Sequence, residues 1–348
     1  MTKTSPYYQD SSVTLLHGDA LDVSRQLAAE SVDCIVSSPP YFGLRNYEVA
    51  ATQWPETSYT PMHGLPQVCV PAMSCPLGLE PTPQAFVAHL VLIFAELRRA
   101  LSSEGTLWLN LGDTYSGRAD ASASETSGRA RPKVLPARLN TAGTIGRKNL
   151  LGIPWQVTFA LQADGWIWRS DVVWDKPNAK PESVTDRPAN RHEYVMLFSK
   201  TTNYWFNLDA IREPTATPRG TPRTWADRKA TGAPMRRGIH PESARGDGGF
   251  APDPKGRNRG NVWTIATQPF PHAHFAAMPL RLAQDCVQAG CKPNGVVLDP
   301  FSGSGTTGLA AQRTGRKYIG IELNHDYLDM SLRTRLQDAA IDFEEGAS

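Results

Sequence analysis

Val296-Val297-Leu298-Asp299-Pro300-Phe301-Ser302-Gly303-Ser304-Gly305-Thr306-Thr307-Gly308 reads as a buried strand, a glycine-rich turn and the start of a helix. Gly303 and Gly305 permit positive φ and let the backbone approach a ligand, while the helix that follows offers free N–H groups. Such a turn is a nucleotide-type cradle. At the end of the next apolar run, in Ile319-Gly320-Ile321-Glu322, stands a carboxylate that can grip ribose hydroxyls. Glycines 303, 305 and 308 also satisfy G-x-G-x-x-G, a pattern shared with dinucleotide enzymes. Two details favour a smaller nucleoside ligand. Asp299-Pro300-Phe301 separates the strand from the first glycine, and forty residues follow Gly308, too few for the second half of a dinucleotide fold. A turn that merely closes a strand-to-helix connection is the plainer alternative.

Outward from this turn the chain alternates. Val13 to Leu16, Val32 to Ser37, Thr106 to Leu111, Asp171 to Trp174, Tyr194 to Phe198, Val296 to Leu298 and Tyr318 to Ile321 are short apolar runs, as parallel strands buried on both faces are. Helical periodicity fills several of the gaps. Gln84 to Leu101 places Phe86, Leu90, Phe94, Leu97 and Leu101 on one stripe, and Pro154 to Leu161 and Pro279 to Ala289 both begin with proline. The pattern predicts an α/β fold, a doubly wound and mostly parallel sheet. With 348 residues, 40% of them hydrophobic, the chain is long enough to bury a full core.

A second motif closes the run Asp33-Cys34-Ile35-Val36-Ser37. Ser38-Pro39-Pro40-Tyr41 is a stiff turn with an aromatic ring at its tip. The prolines fix φ and remove two N–H donors, which frees the carbonyls of Ser38 and Pro39 to accept hydrogen bonds from an amino group. Tyr41 supplies a flat face on which an extruded base could stack, a contact worth on the order of 1 to 3 kcal/mol. An ordinary proline turn is the bland alternative.

Composition limits the classes. No apolar run approaches the roughly 20 residues of a membrane span, and the N-terminal residues lack a signal-peptide pattern, so a cytoplasmic protein is expected. Cysteines 34, 69, 75, 286 and 291 form no Cys-x-x-Cys pair, which argues against a zinc ribbon or a disulfide framework. Net charge is +2, but its distribution is uneven. Arg212 to Arg259 carries eleven Lys or Arg against five acids, and Arg118 to Lys148 carries seven against Asp120 and Glu125. Both stretches are rich in small residues and too long for ordinary connections, which marks them as functional inserts or disordered segments.

The cradle and the Pro-Pro turn together resemble the amino-methylating DNA methyltransferases, in the group whose Pro-Pro motif precedes the cofactor loop, the β class. The resemblance covers most of the chain. It implies a Rossmann-like fold with permuted motif order, and S-adenosylmethionine as cofactor. Asp299, Phe301, Gly303, Ser304, Gly305 and Thr306 would hold that cofactor, Glu322 would take its ribose, and Asp19 in Leu15-Leu16-His17-Gly18-Asp19 would face its adenine. Read without the resemblance, Asp19 is equally a helix N-cap before Leu21. Trp174 to Asn178, His192 to Phe198 and Ala273 to Pro279 look like further family segments. Read bare, Trp174 and Phe198 are core, His192 an interior hydrogen-bond partner and Phe275 a staple beside Pro279.

The implied reaction is a direct attack of an amino nitrogen on the sulfonium methyl, with Ser38, Pro39, Pro40 and Tyr41 as the catalytic turn. Adenine-N6 enzymes of this kind usually carry Asp or Asn where this chain has Ser38, so the expected product is N4-methylcytosine and the alternative N6-methyladenine. Carbon-5 methylation needs a thiolate, typically from Pro-Cys, and no proline here precedes a cysteine. The expected layout is 1–208 as the catalytic part with an insert at about 115–150, 209–262 as the target-recognition segment, and 263–348 as the cofactor part. Double-stranded DNA is the expected partner, met through arginines that contact phosphates and read guanine. The family also admits a homodimer and a cognate restriction endonuclease system.

Overall fold

Strand order decides where a ligand can sit. In the computed structural model, which describes residues 5–44, 49–116, 145–146, 148–214, 255–268 and 278–336, nine strands among these residues form the main sheet. They are β1 (Tyr8–Gln9), β2 (Val13–His17), β3 (Val32–Ser37), β8 (Leu101–Leu111), β9 (Ile167–Asp175), β10 (His192–Ser199), β11 (Val262–Thr264), β12 (Val296–Asp299) and β13 (Lys317–Glu322). Across the sheet they run β1-β2-β13-β12-β3-β8-β10-β9-β11. Neighbours from β2 to β8 are parallel. From β12 the chain winds outward to β13, and from β3 it winds the opposite way to β8. The two motifs therefore end side by side at the topological switch point, where open α/β sheets bind their ligands.

Every apolar run singled out in the sequence lies in a strand. One direction differs from expectation: β10, which holds Tyr194 to Phe198, is antiparallel to both β8 and β9. A continuous apolar run reports burial on two faces, and a central antiparallel strand is buried in the same way. Leu101 likewise opens β8 instead of closing the helix before it.

Side chains alternate between two helical layers. On one face Ile35, Leu107, Leu109 and Leu111 join the core formed with α1 (Ala20–Ser24), α2 (Pro83–Ala100) and α3 (Ile153–Ala163). Thr82 caps α2, accepting from the Ala85 N–H at 3.2 Å, and Pro83 occupies the first turn. The stripe Phe86, Leu90, Phe94 and Leu97 is fully buried. On the other face α4 (Leu280–Gly290) lies so close that a Cβ on Gly290 would stand 2.1 Å from the Trp108 indole nitrogen. Helix α5 (Thr306–Arg313) packs beside α4, and α6 (His325–Ser331) runs into a π turn at Leu332–Leu336. No helix among the described residues is long and apolar enough to cross a membrane.

The chain divides into two compact units, Met1–Asn207 with Asn261–Ser348, and Leu208–Gly260. In the second, Arg212 and Lys255 pair with Asp209, and Arg257 pairs with Glu213 at 2.7 Å, so the two described ends of this unit meet. Its basic residues from Arg219 to Arg245 lie outside the described residues, as do those from Arg118 to Arg147.

Between β3 and α2 a strap of two small ladders pairs β4 (Thr52–Trp54) with β7 (Met73–Cys75) and β5 (Thr57–Tyr59) with β6 (Val68–Val70). Glu80, fully buried at its base, accepts from the Gly78 N–H at 2.8 Å and meets His89 Nδ1 at 2.9 Å. Trp54 stacks on the His89 ring at 4.0 Å. Cys75 stands close enough to Glu80 and His89 for a metal trio. Both Glu80 oxygens already have partners, so the trio is better described as a hydrogen-bonded buttress. Gly78 at φ +89° carries it forward: a Cβ there would sit 3.1 Å from the Tyr41 carbonyl, and its own carbonyl accepts from Gly43. Glu80→Ala should therefore cost on the order of 3 kcal/mol, since it strands the buried Gly78 N–H and His89 together. Urea denaturation checks this, and an unchanged midpoint would show that the buttress carries no weight.

Candidate active site

One side of the candidate site is built from two strand ends. Asp299, at the end of β12 and 4% exposed, accepts from the Ser37 hydroxyl at 2.6 Å and from the Phe301 N–H at 3.0 Å. Burial pushes its pKa up to about 6, against the pull of the Ser37 and Phe301 hydrogen bonds. Glu322, at the end of β13, accepts from the Gly303 N–H through one oxygen and from the Asn324 N–H through the other, both at 2.8 Å. Burial raises its pKa too, and the nearby Asp299 charge adds to the effect. The loop from Asp299 to Thr306 is thus tied down at Phe301 and at Gly303 by carboxylates.

Its glycines do different work. Gly303, at φ +50°, has nothing within 3.8 Å of where a Cβ would stand, so its missing side chain leaves open space. Gly305 and Gly308 are packing positions: a Cβ would meet Ser331 at 2.9 Å in the first case and Leu336 at 2.6 Å in the second. Open backbone at Gly303 and the carboxylates of buried Asp299 and half-buried Glu322 suit a nucleoside that carries positive charge, and the N-terminus of α5 suits an anionic group on the same ligand. S-adenosylmethionine fits that description.

The base side follows β3 directly. The Tyr41 ring edge lies against Gly112, where a Cβ would be 2.6 Å from Tyr41 Cε2. The Tyr41 hydroxyl donates to Glu193 Oε2 at 2.8 Å or Asn110 Oδ1 at 3.0 Å and accepts from Ser38 at 3.3 Å. A cavity of about 310 Å³ spans both sides. Ser38, Pro39, Pro40 and Tyr41 line it together with Asp19, Asp299, Phe301, Gly303, Ser304, Thr306 and Glu322; of the expected residues, Gly305 does not. Asp19 does two things at once. Its Oδ1 caps α1 through the Leu21 N–H at 2.8 Å, and its Oδ2 accepts from Thr52 at 2.6 Å.

Asn110, Trp174, Lys176 and Glu193 also line the cavity, although the sequence assigned them no role there. Lys176 pairs with Glu193 and lies 4.2 Å over the Trp174 ring. Asn110 carried one signal, being the single polar residue in the apolar run Leu107 to Leu111. His192 is exposed, not interior, and touches Tyr194. Phe275 lies outside the described residues. Beside the cavity, Asp113 accepts from the N–H groups of Gly152 and Ile153, each at 3.0 Å, and Ser116 bonds to Asn149, so the 117–148 excursion leaves and returns through one neck.

Comparison with known proteins gives the family and the fold. A family model for the N6 and N4 enzymes, described as DNA methylase, matches residues 32–333. Type II methyltransferase M.Cfr9I of Citrobacter freundii is 39% identical over 325 residues, 93% of this chain and 87% of that one. Type II methyltransferase M.SmaI of Serratia marcescens is 35% identical, over 92% of this chain and 89% of its own. Among solved structures, PvuII DNA methyltransferase (cytosine-N4-specific) has a TM-score of 0.59 at 15% identity, covering 97% of this chain and 93% of its own. A putative DNA modification methylase from Thermus thermophilus, complexed with S-adenosyl-L-methionine, has a TM-score of 0.51 at 21% identity, covering 92% and 91%. At these identities the structural likeness concerns the fold. The family model takes in both the Pro-Pro turn after β3 and the carboxylate-tied loop after β12, and on that ground the chain belongs to the N6/N4 DNA methylase family, with S-adenosylmethionine as its methyl donor.

Proposed function

We propose that the chain is a site-specific DNA methyltransferase that moves a methyl group to N4 of cytosine. The observation that carries this reading is Ser38 at the head of Ser38-Pro39-Pro40-Tyr41, a hydroxyl where adenine-N6 relatives usually have a carboxylate or amide. S-adenosylmethionine supplies a methyl group on a positively charged sulfur. Phe301, Gly303, Ser304 and Thr306 would hold it, Gly305 shapes the turn, Glu322 would take the ribose, Asp299 would lend negative charge, and Asp19 would face the adenine.

The remaining work is positioning. Tyr41 stacks the extruded base, and the carbonyls of Ser38 and Pro39 accept both amino hydrogens. Held this way, the N4 lone pair is drawn out of conjugation with the ring, and the same oxygens stabilise the positive charge that develops on nitrogen. No covalent bond to the protein is required: as the bond from N4 to the methyl carbon forms, the bond from that carbon to sulfur breaks to leave a neutral thioether, and the methylated N4 sheds one proton to solvent. The five cysteines are free thiols, which fits a cytoplasmic enzyme. The 209–262 segment serves as the target reader, its arginines supplying phosphate and base contacts. The Type II names of the relatives fit pairing with a cognate restriction endonuclease.

Digestion of methylated DNA to nucleosides, followed by mass spectrometry, should yield N4-methylcytosine. N6-methyladenine would overturn the inference from Ser38, and 5-methylcytosine would defeat the mechanism itself. Acidity gives a second test. Asp299 holds its proton up to about pH 6, so the ionised form that attracts a sulfonium dominates only above that value. Calorimetric affinity for S-adenosylmethionine should fall about tenfold between pH 7 and pH 5. Asp299→Asn should flatten that profile, and an unaltered slope would remove Asp299 from the cofactor site. Replacing the arginines of 209–262 with alanine should weaken DNA binding while cofactor affinity stays intact. Each arginine that grips a phosphate should lower the salt slope by roughly one unit when it is removed.

A further inference from the structure

The Tyr41 ring is tethered at the end farthest from its backbone, by residues that no part of the proposed chemistry uses. Its turn rides on β3, whereas Glu193 lies 152 positions later on β10, two strands away across the sheet. Glu193 Oε2 accepts from the Tyr41 hydroxyl at 2.8 Å and from Asn110 Nδ2 at 3.3 Å, and Oε1 is held by Lys176. Asn110 is in turn fixed by donating to the Tyr194 carbonyl at 3.0 Å. Lys176 lies against the Trp174 indole, which is buried and donates to the Ile265 carbonyl at 2.8 Å. In the β9–β10 register Glu193 stands directly opposite Trp174, so one hairpin presents carboxylate, ammonium and indole together. Both members of the ion pair are largely shielded, at 16% and 19% side-chain exposure, and shielding strengthens a charge-assisted hydrogen bond.

We propose that Glu193, clamped by Lys176, is a positioning residue that fixes the Tyr41 ring about its Cα–Cβ bond and hence the position at which the target base is offered to the methyl group. Pro39 and Pro40 stiffen the backbone before the ring, and Gly112 leaves room for one ring edge. These contacts alone would let the ring rock about its Cα–Cβ bond, and the hydroxyl clamp stops that motion. The ion pair suits the task because Lys176 balances the Glu193 charge, so the carboxylate can face the cavity without drawing the cationic cofactor out of its cradle. The proposal rests on the reading of Tyr41 as the stacking face.

The test uses the full chain, S-adenosylmethionine and duplex DNA carrying the target site, with 2-aminopurine at the target position in a parallel set. Single-turnover methyl transfer is measured for Glu193→Gln, Tyr41→Phe and the double variant, with cofactor and DNA affinities alongside. Each single change should slow transfer about tenfold while both affinities stay unchanged, and the double variant should be no slower than Tyr41→Phe, because the two changes cut one link. The flipped 2-aminopurine should fluoresce more brightly in all three, as stacking on the ring loosens. Multiplying rate losses in the double variant, or a Glu193→Gln rate equal to the parent's, would overturn the proposal. Tyr41→Ala tests the underlying reading separately: unchanged rate and fluorescence there would show that Tyr41 is not the stacking face, and both claims would fall. Lys176→Met provides a second route should Glu193→Gln misfold, with the same loss expected and an unaltered rate counting against the clamp.

Discussion

The hydrogen bond from the Ser37 hydroxyl to Asp299, 2.6 Å long and sealed from solvent, joins the two halves of the site. Ser37 is the last residue of β3 and Asp299 the last of β12, so a single contact sets the base-side turn and the cofactor-side loop at a fixed distance. Thr307 reinforces it by donating to the Val36 carbonyl at 3.3 Å. Without this seam the parallel pairing of Val297 with Cys34 and of Leu298 with Ile35 would still align the strands. The loops beyond them would hinge separately. A direct transfer between two bound molecules tolerates little such play, because reacting atoms must meet in line at near-contact distance.

The rest of the architecture protects that seam. Glu322 holds the loop from the far side, and the Glu80–Gly78 buttress presses on the Pro-Pro turn from behind. Asp19 links the layers, since its carboxylate both starts α1 and accepts from Thr52 on the strap. Each is a buried or half-buried carboxylate bonded to backbone N–H groups, so the site is framed by acids whose main work is geometric. Positive charge on the cofactor is what such a frame would best tolerate.

The sheet could be read from the chain because strands buried on both faces must be continuously apolar, and Val32 to Ser37, Val296 to Leu298 and their companions are. The strap could not. Its alternation, as in Thr52 and Trp54 or Val68 and Val70, lasts only three residues at a time and is broken by Pro55 and Pro71. Strand direction in β10 was hidden for a different reason, since burial looks the same in either orientation. The two motifs proposed to hold cofactor and base were legible because each is local, a turn whose prolines or glycines have only a few physical meanings. Asn110, Lys176 and Glu193 meet Tyr41 or one another across long stretches of chain, and such a partnership exists only once the sheet has formed.

The neck at Asp113 has a consequence for how this frame can diverge. With Thr114, Gly152 and Ile153 all anchored to one carboxylate, and Ser116 bonded to Asn149, the two ends of the 117–148 excursion are pinned together whatever lies between them. Closing a loop between fixed ends costs only about 0.6 kcal/mol more for each doubling of its length. Insertions or deletions ahead of Ile145, which packs against the core, would barely register in the stability of the sheet. A lineage could therefore exchange that part of the excursion for another by recombination while inheriting the catalytic frame unaltered.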